Sequence, residues 1–391
     1  MKRITLKKIA SAAIIVGLHL VASGQTKTYK IGAVLPLSGP YAFAGEAAKR
    51  GIELAIEERG GKVLGANIEL MVEDGEAKPQ VALQKAITLI GRGANVLIGE
   101  GSSPATLALS SLAKQRKIPL LITLSGDERL TGSEGHRYAF RTANDFGMES
   151  QMAIAFLRQG NYKKIYGVIP DVGTTRDLWE KVKAALPSLG IEMVGEDFPP
   201  LGNKDFSIIV NKISKSGADV ALAGTAGSDA INLVKQAGEV ELNKKVALFG
   251  PAFLDDDTAS GAGKAALGVY SGVRYHYSVD NPKNKDFVAR YRAKFGQMPG
   301  GYAGQTYDGL VWWLKTVQST GSWDVEKWVD AFKGNTFNES IEGTKFMRAC
   351  NNQAEQVGLW ARVVEGQPPL PPLTMSVVAQ FPAKALFTPC P

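Results

Sequence analysis

From residue 30 onward the chain alternates short β-rich runs with amphipathic helical stretches, and no other feature narrows its folding options as much. The spacing predicts strands over 30–35, 67–73, 95–99 and 119–124, separated by helices over 45–59, 80–90 and 104–115. In the first of these helices Ala48, Ile52, Ala55 and Ile56 share one face. Such alternation requires a parallel sheet with helices on both faces, because each crossover helix must bury its apolar stripe against the sheet. The pattern restarts after Phe146, with helices over 148–159, 177–186, 206–215 and 229–237 and strands over 164–169, 191–195, 219–223 and 245–249. This predicts a second α/β lobe. A strand-like run over 269–277 follows, then helices over 285–295, 302–320 and 325–332 and a strand over 356–364. Helices with no new sheet to cover imply that the chain returns to complete the first lobe. The expected class is α/β with two doubly wound parallel-sheet lobes, one from 28–146 plus 277–345 and the other from 147–276 plus 346–391.

The first 24 residues fall outside that pattern. Lys2, Arg3, Lys7 and Lys8 precede a short apolar run over 9–21 that ends in Ala22, Ser23 and Gly24, the three-part form of a secretory signal peptide. The run is shorter than the roughly 20 residues that span a bilayer. Removing its four basic residues lowers the formal charge from +7 to +3. A mild, scattered surplus of that kind does not make a nucleic-acid or membrane-surface footprint. In an oxidising export compartment the two cysteines, Cys350 and Cys390, are expected to be bridged.

Candidate chemistry collects where strands give way to helices. Over 98–109, IGEGSSPATLAL, a strand ends in Gly99-Glu100-Gly101, Ser102 or Ser103 takes the N-cap and Pro104 the first helical position. Backbone N–H groups and two hydroxyls at such a turn suit an anion such as a carboxylate, and a plain N-cap is the alternative. After the first strand, Tyr41 and Phe43 are aromatics in a loop, either packed beneath it or facing a ligand. Further turns on the same sheet edges carry Thr123, Ser125, Gly173, Thr225, Ala226, Ala252 and Phe253. Ligands of doubly wound sheets lie outside such carboxyl ends, so two facing lobes would enclose one cleft.

Catalytic motifs are missing. There is no G-x-S-x-G elbow, and Gly263-Lys264 lacks the rest of a phosphate loop. Outside the leader only His136 and His276 remain, neither spaced for a metal, and Asp255-Asp256-Asp257 reads as a helix N-terminus. No enzyme, metal site or cofactor is expected.

The segments 31–58, 73–82, 99–109, 204–224 and 302–310 together resemble the branched-chain amino acid branch of the periplasmic solute-binding proteins, of the type I fold that serves ABC importers. The resemblance covers nearly the whole mature chain. It implies a three-strand hinge, closure around ligand, an ABC permease as partner and a monomer in the periplasm. It also implies that the turn with Ser102 and Ser103 holds a carboxylate and that residues 123–127 serve an ammonium through hydroxyl and carbonyl groups. The loop after the first strand and the turn near Thr225 shape the side-chain pocket. Amino-acid binders of this kind carry an acid in the turn that here reads Gly250-Pro251-Ala252, and Ala252 cannot replace it. The expected ligand is therefore a small carboxylate without an α-amino group, an aromatic or keto acid. Asp127 offers a substitute counter-charge, which leaves an amino acid as the alternative ligand, and a sensor subunit as the alternative role.

Overall fold

The computed structural model describes residues 27–367 and 370–387. The first sheet is built from β1 (Thr28–Leu35), β2 (Lys62–Val63), β3 (Ala66–Asp74), β4 (Val96–Gly99), β5 (Leu120–Ile122) and β6 (Ala139–Arg141). Its order is β2-β3-β1-β4-β5-β6, parallel except for the short β2–β3 hairpin. Helices α1 (Ala42–Glu58), α2 (Pro79–Gly91) and α3 (Ser103–Arg116) make its crossovers.

The second lobe runs α4 (Phe146–Gln159), β7 (Lys164–Val168), α5 (Gly173–Leu189), β8 (Glu192–Asp197), α6 (Ser207–Ser216), β9 (Val220–Ala223), α7 (Gly227–Glu239), β10 (Ala247–Pro251), α8 (Asp256–Ala262) and β11 (Tyr270–Val273). Its parallel strands continue into two antiparallel ones, β15 (Gly358–Glu365) and β16 (Leu373–Phe381), giving the order β16-β15-β11-β10-β9-β7-β8. Between the two visits to this sheet lie α9 (Pro282–Phe295), α10 (Gly301–Thr320), α11 (Val325–Phe332) and a small antiparallel sheet of β12 (Thr336–Phe337), β13 (Lys345–Met347) and β14 (Ala354–Glu355).

Apolar packing divides the chain as the alternation requires. One cluster joins Ile31, Val96, Ile98 and Phe140 to Trp312, Trp313, Trp328 and Phe332, which packs the returning helices against the first sheet. Helix α10 lies so close to α1 that a Cβ on Gly51 would stand 2.4 Å from the Ala303 carbonyl oxygen, which only glycine permits. Two other clusters pack on the faces of the second sheet, around Leu233 and Val234 and around Trp179, Phe249 and Trp360. Met347 and Ala354 belong to the first lobe's cluster, so the last crossing follows Ala354, later than the boundary at 345 read from the sequence.

The chain passes between lobes after β6, after β11 and after β14. Side-chain amides tie these passages together: Gln353 Nε2 donates to the Ala143 carbonyl at 2.9 Å, Gln305 Nε2 to the Arg274 carbonyl at 3.0 Å, and Gln356 Nε2 to Asn144 Oδ1. Cys350 lies in the turn before β14, and Cys390 and the expected leader lie outside the described residues. Among the described residues no helix is long and apolar enough to cross a membrane.

Candidate functional site

The interlobe cleft contains a small cavity open to solvent. The first lobe contributes Phe43, Gly301 and Tyr302, the second Ala226, Gly227 and residues 252–255, and the crossing after β11 contributes Arg274 and Tyr275. Phe43 stands edge-on to Tyr302 with ring centroids 5.7 Å apart. It also meets the opposite lobe: Gly227, at φ +57°, has no Cβ, and one placed there would come within 2.8 Å of the Phe43 ring. Glu128 of the first lobe pairs with Lys181 of the second at the rim. Tyr41 is half-buried nearby, its hydroxyl pushed up to about 12 by burial and then by Tyr302, Asp229 and Glu100.

Of the residues expected from the sequence, the cavity brings together Phe43, Ala226, Ala252 and Phe253. Phe253 is buried in the second lobe's core, so most of its ring serves packing. Ser102 is the N-cap of α3 and Ser103 its first residue; both are half-buried, and neither hydroxyl has a partner among the described residues. They do not line the cavity. Thr123 is buried with its hydroxyl 3.0 Å from that of Thr306, and buried Ser125 accepts from the Asp127 N–H at 3.5 Å. Thr225 is buried, and its hydroxyl has no partner among the described residues. Gly173 is exposed at the start of α5 and does not line the cavity.

Two expectations are corrected. The N–H groups of the Ser102 turn are not all open, because the buried Glu100 carboxylate folds back to accept from Ser102 N at 2.9 Å and Ala77 N at 3.2 Å. Burial pushes the Glu100 carboxyl up despite these bonds. Asp127 is not a free counter-charge either: it accepts from Arg129 Nη2 at 2.6 Å, from Nε at 3.0 Å and from the Arg129 N–H at 3.0 Å. An N-cap Asp followed two residues later by Arg neutralises itself locally.

The sequence reading missed Arg274. Only 7% exposed, it donates through Nε to Glu149 at 2.8 Å and through Nη1 to the Leu124 carbonyl at 2.5 Å, and it lies 5.6 Å from the Tyr302 ring centre. The third nitrogen, Nη2, has no partner among the described residues and lies over Gly126, where a Cβ would be 3.1 Å away. Burial opposes the charge on Arg274, yet Glu149 outweighs it and the guanidinium is held above its ordinary value. Burial in turn pushes the Glu149 carboxyl up against the pull of Arg274. A lone arginine in a strand-like run carries no periodic signal. Tyr302, by contrast, stood in a segment that carried the resemblance.

The chain matches a sequence profile of the periplasmic binding proteins over residues 28–368. Among curated proteins it is 29% identical to Leu/Ile/Val-binding protein homolog 6 of Brucella melitensis, over 84% of this chain and 86% of that protein. It is 26% identical to a leucine-, isoleucine-, valine-, threonine- and alanine-binding protein of Pseudomonas aeruginosa, over 79% and 83%. Among solved structures it superposes on an ABC-transporter solute-binding protein of Rhodopseudomonas palustris in complex with 3,4-dihydroxybenzoic acid, with a TM-score of 0.85, 28% identity and coverage of 91% and 98%. With two α/β lobes, three crossings and an interlobe cavity in place, the chain belongs to the periplasmic binding protein family, whose members here are solute-binding proteins and not enzymes.

Proposed function

We propose that this protein is the periplasmic solute-binding subunit of an ABC importer and that it closes on a small carboxylate lacking an α-amino group, an aromatic acid above all. The observation that carries the ligand class is Arg274. The Leu124 carbonyl, one of those in the 123–127 turn that the resemblance as a whole assigns to an ammonium, is already taken by the Arg274 guanidinium. The guanidinium, although paired with Glu149, still offers Nη2 as a charge-assisted donor to an anion and has no acceptor to give an ammonium. With alanine at 252 and Asp127 paired with Arg129, neither of the two acids expected from the resemblance is free to pair an ammonium, and the carboxylate that does line the cavity is Asp255, held as the N-cap of α8. Phe43 and Tyr302 supply ring faces and edges to an aromatic body. The solute-binding proteins of Rhodopseudomonas palustris solved with dihydroxy- and hydroxybenzoic acids support the same class.

The free hydroxyls of Ser102 and Ser103 then face the carboxylate, and the protein, a monomer freed of its leader, delivers its ligand unchanged to a membrane permease. The names of the curated relatives favour a branched-chain amino acid as the second reading. A thermal-shift panel separates the two, since a ligand present at about 100 times its dissociation constant adds roughly 2.7 kcal/mol. Benzoate-type and keto acids are expected to raise the melting temperature. A response confined to α-amino acids overturns the assignment.

A further inference from the structure

The cavity that holds Arg274 has an acceptor as well. Asp255 lines it as the N-cap of α8, and one carboxylate oxygen, Oδ1, is used in the capping box, accepting from Thr258 N at 2.9 Å and from Thr258 Oγ1 at 2.8 Å. The other oxygen, Oδ2, has no partner among the described residues. Tyr302 lines the same cavity, with the Arg274 guanidinium 5.6 Å from its ring centre. The cavity is thus bipolar, with a guanidinium on the crossing, an unused carboxylate oxygen on the second lobe, and the rings of Phe43 and Tyr302 on the first.

We infer that Asp255 reads a hydrogen-bond-donating substituent on the ring of the bound acid, so that the preferred ligands are hydroxylated aromatic acids. The inference rests on the aromatic-acid reading above and deepens it. A half-buried carboxylate oxygen with no donor is costly to desolvate when the lobes close. A phenolic O–H satisfies it, a bare ring edge does not, and a second carboxylate is repelled by it. An ether oxygen at the same place finds no donor there, because Asp255 can only accept.

The test uses calorimetric titration of the whole mature chain with benzoate, meta- and para-hydroxybenzoate, para-methoxybenzoate and leucine. The better hydroxybenzoate is expected to bind about 10- to 100-fold more tightly than benzoate, the range for a hydrogen bond to a charged group. Asp255→Asn keeps a strong N-cap former while turning the free acceptor into a donor. In that variant the hydroxybenzoate-to-benzoate ratio is expected to fall severalfold, since the phenol oxygen then only accepts a neutral hydrogen bond from the amide, and the methoxybenzoate to gain on both. If the variant fails to fold, Asp255→Ser, which also caps well, takes its place. Equal affinities for benzoate and both hydroxybenzoates in the native protein, or a ratio that survives the substitution, overturn the role of Asp255 and leave the aromatic-acid reading standing. Binding of leucine and of no benzoate overturns both.

Discussion

Two clusters of buried charge in this molecule use the same chemistry and end differently. In the first lobe Lys345 of β13, 1% exposed, contacts Asp308 of α10 at 2.8 Å and Glu342 at 2.5 Å. Asp308 is completed by Ser340 Oγ at 2.8 Å and Ile341 N at 3.0 Å. At the cleft, Arg274 is held by Glu149 and Leu124 and keeps a nitrogen in reserve. Buried charges are tolerated only when paired and hydrogen-bonded. Where the cation is enclosed by two carboxylates inside a lobe, away from the cavity, the cluster is scaffold; where a donor is left over beside the cavity, a ligand can complete it.

Removing the sealed cation gives the largest effect. Lys345→Met strands two carboxylates in the first lobe's interior and is expected to cost about 3 to 5 kcal/mol of unfolding free energy, read from the urea midpoint. Ligand affinity per folded molecule should not change. At the cleft, Arg274→Met is expected to cost about 3 kcal/mol, nearer the lower end because Glu149 can take up a proton, and also to weaken carboxylate binding at least about 100-fold. If both variants lose only stability, the distinction between scaffold and site disappears.

Titration sharpens the contrast next. In the sealed cluster two carboxylates share one ammonium, and Glu342 Oε1 has no partner among the described residues. Burial, opposed by Lys345 and reinforced by Asp308, lifts the Glu342 carboxyl from 4.5 to about 7. A group whose folded value lies above its unfolded one stabilises fully below the unfolded value and loses that contribution as pH rises. Stability should therefore fall by roughly 2 to 3 kcal/mol between about pH 4.5 and pH 7 from this group alone. Glu342→Gln is expected to remove that slope, seen as urea midpoints that converge between acidic and neutral buffer. An unaltered slope would place the shared proton elsewhere.

How much of this was legible in the sequence depended on period and length. The parallel strands and crossover helices were readable because β-rich and helical periods alternate, and Asp255 as a helix N-terminus because acids favour that end. Strand β6 has three residues, too few to show alternation, and β16 escaped because Val377 and Val378 break its two-residue period. The turns that carry Phe43, Ala226 and Ala252 were found because ligands gather at strand ends. Arg274, Glu100 and the capture of Asp127 by Arg129 depend on contacts between side chains distant or unpatterned in sequence, and composition does not encode those.

The smallest effect bears on the first-lobe wall, where the Glu100 carboxylate already occupies the Ser102 N–H. What remains there for a carboxylate is the pair of hydroxyls on Ser102 and Ser103. Because the Ser103 hydroxyl caps nothing, Ser103→Ala removes a donor without loosening α3, and stability should hold within about 0.5 kcal/mol. Affinity for the acid should fall about 10-fold, the lower end for one neutral donor to a charged acceptor, while Arg274 keeps most of the binding. A fall as large as that for Arg274→Met means that the anion sits on the α3 turn and the guanidinium only supports it. No fall at all means that the acid lies wholly on the crossing side, with the first lobe closing over it through Phe43 and Tyr302.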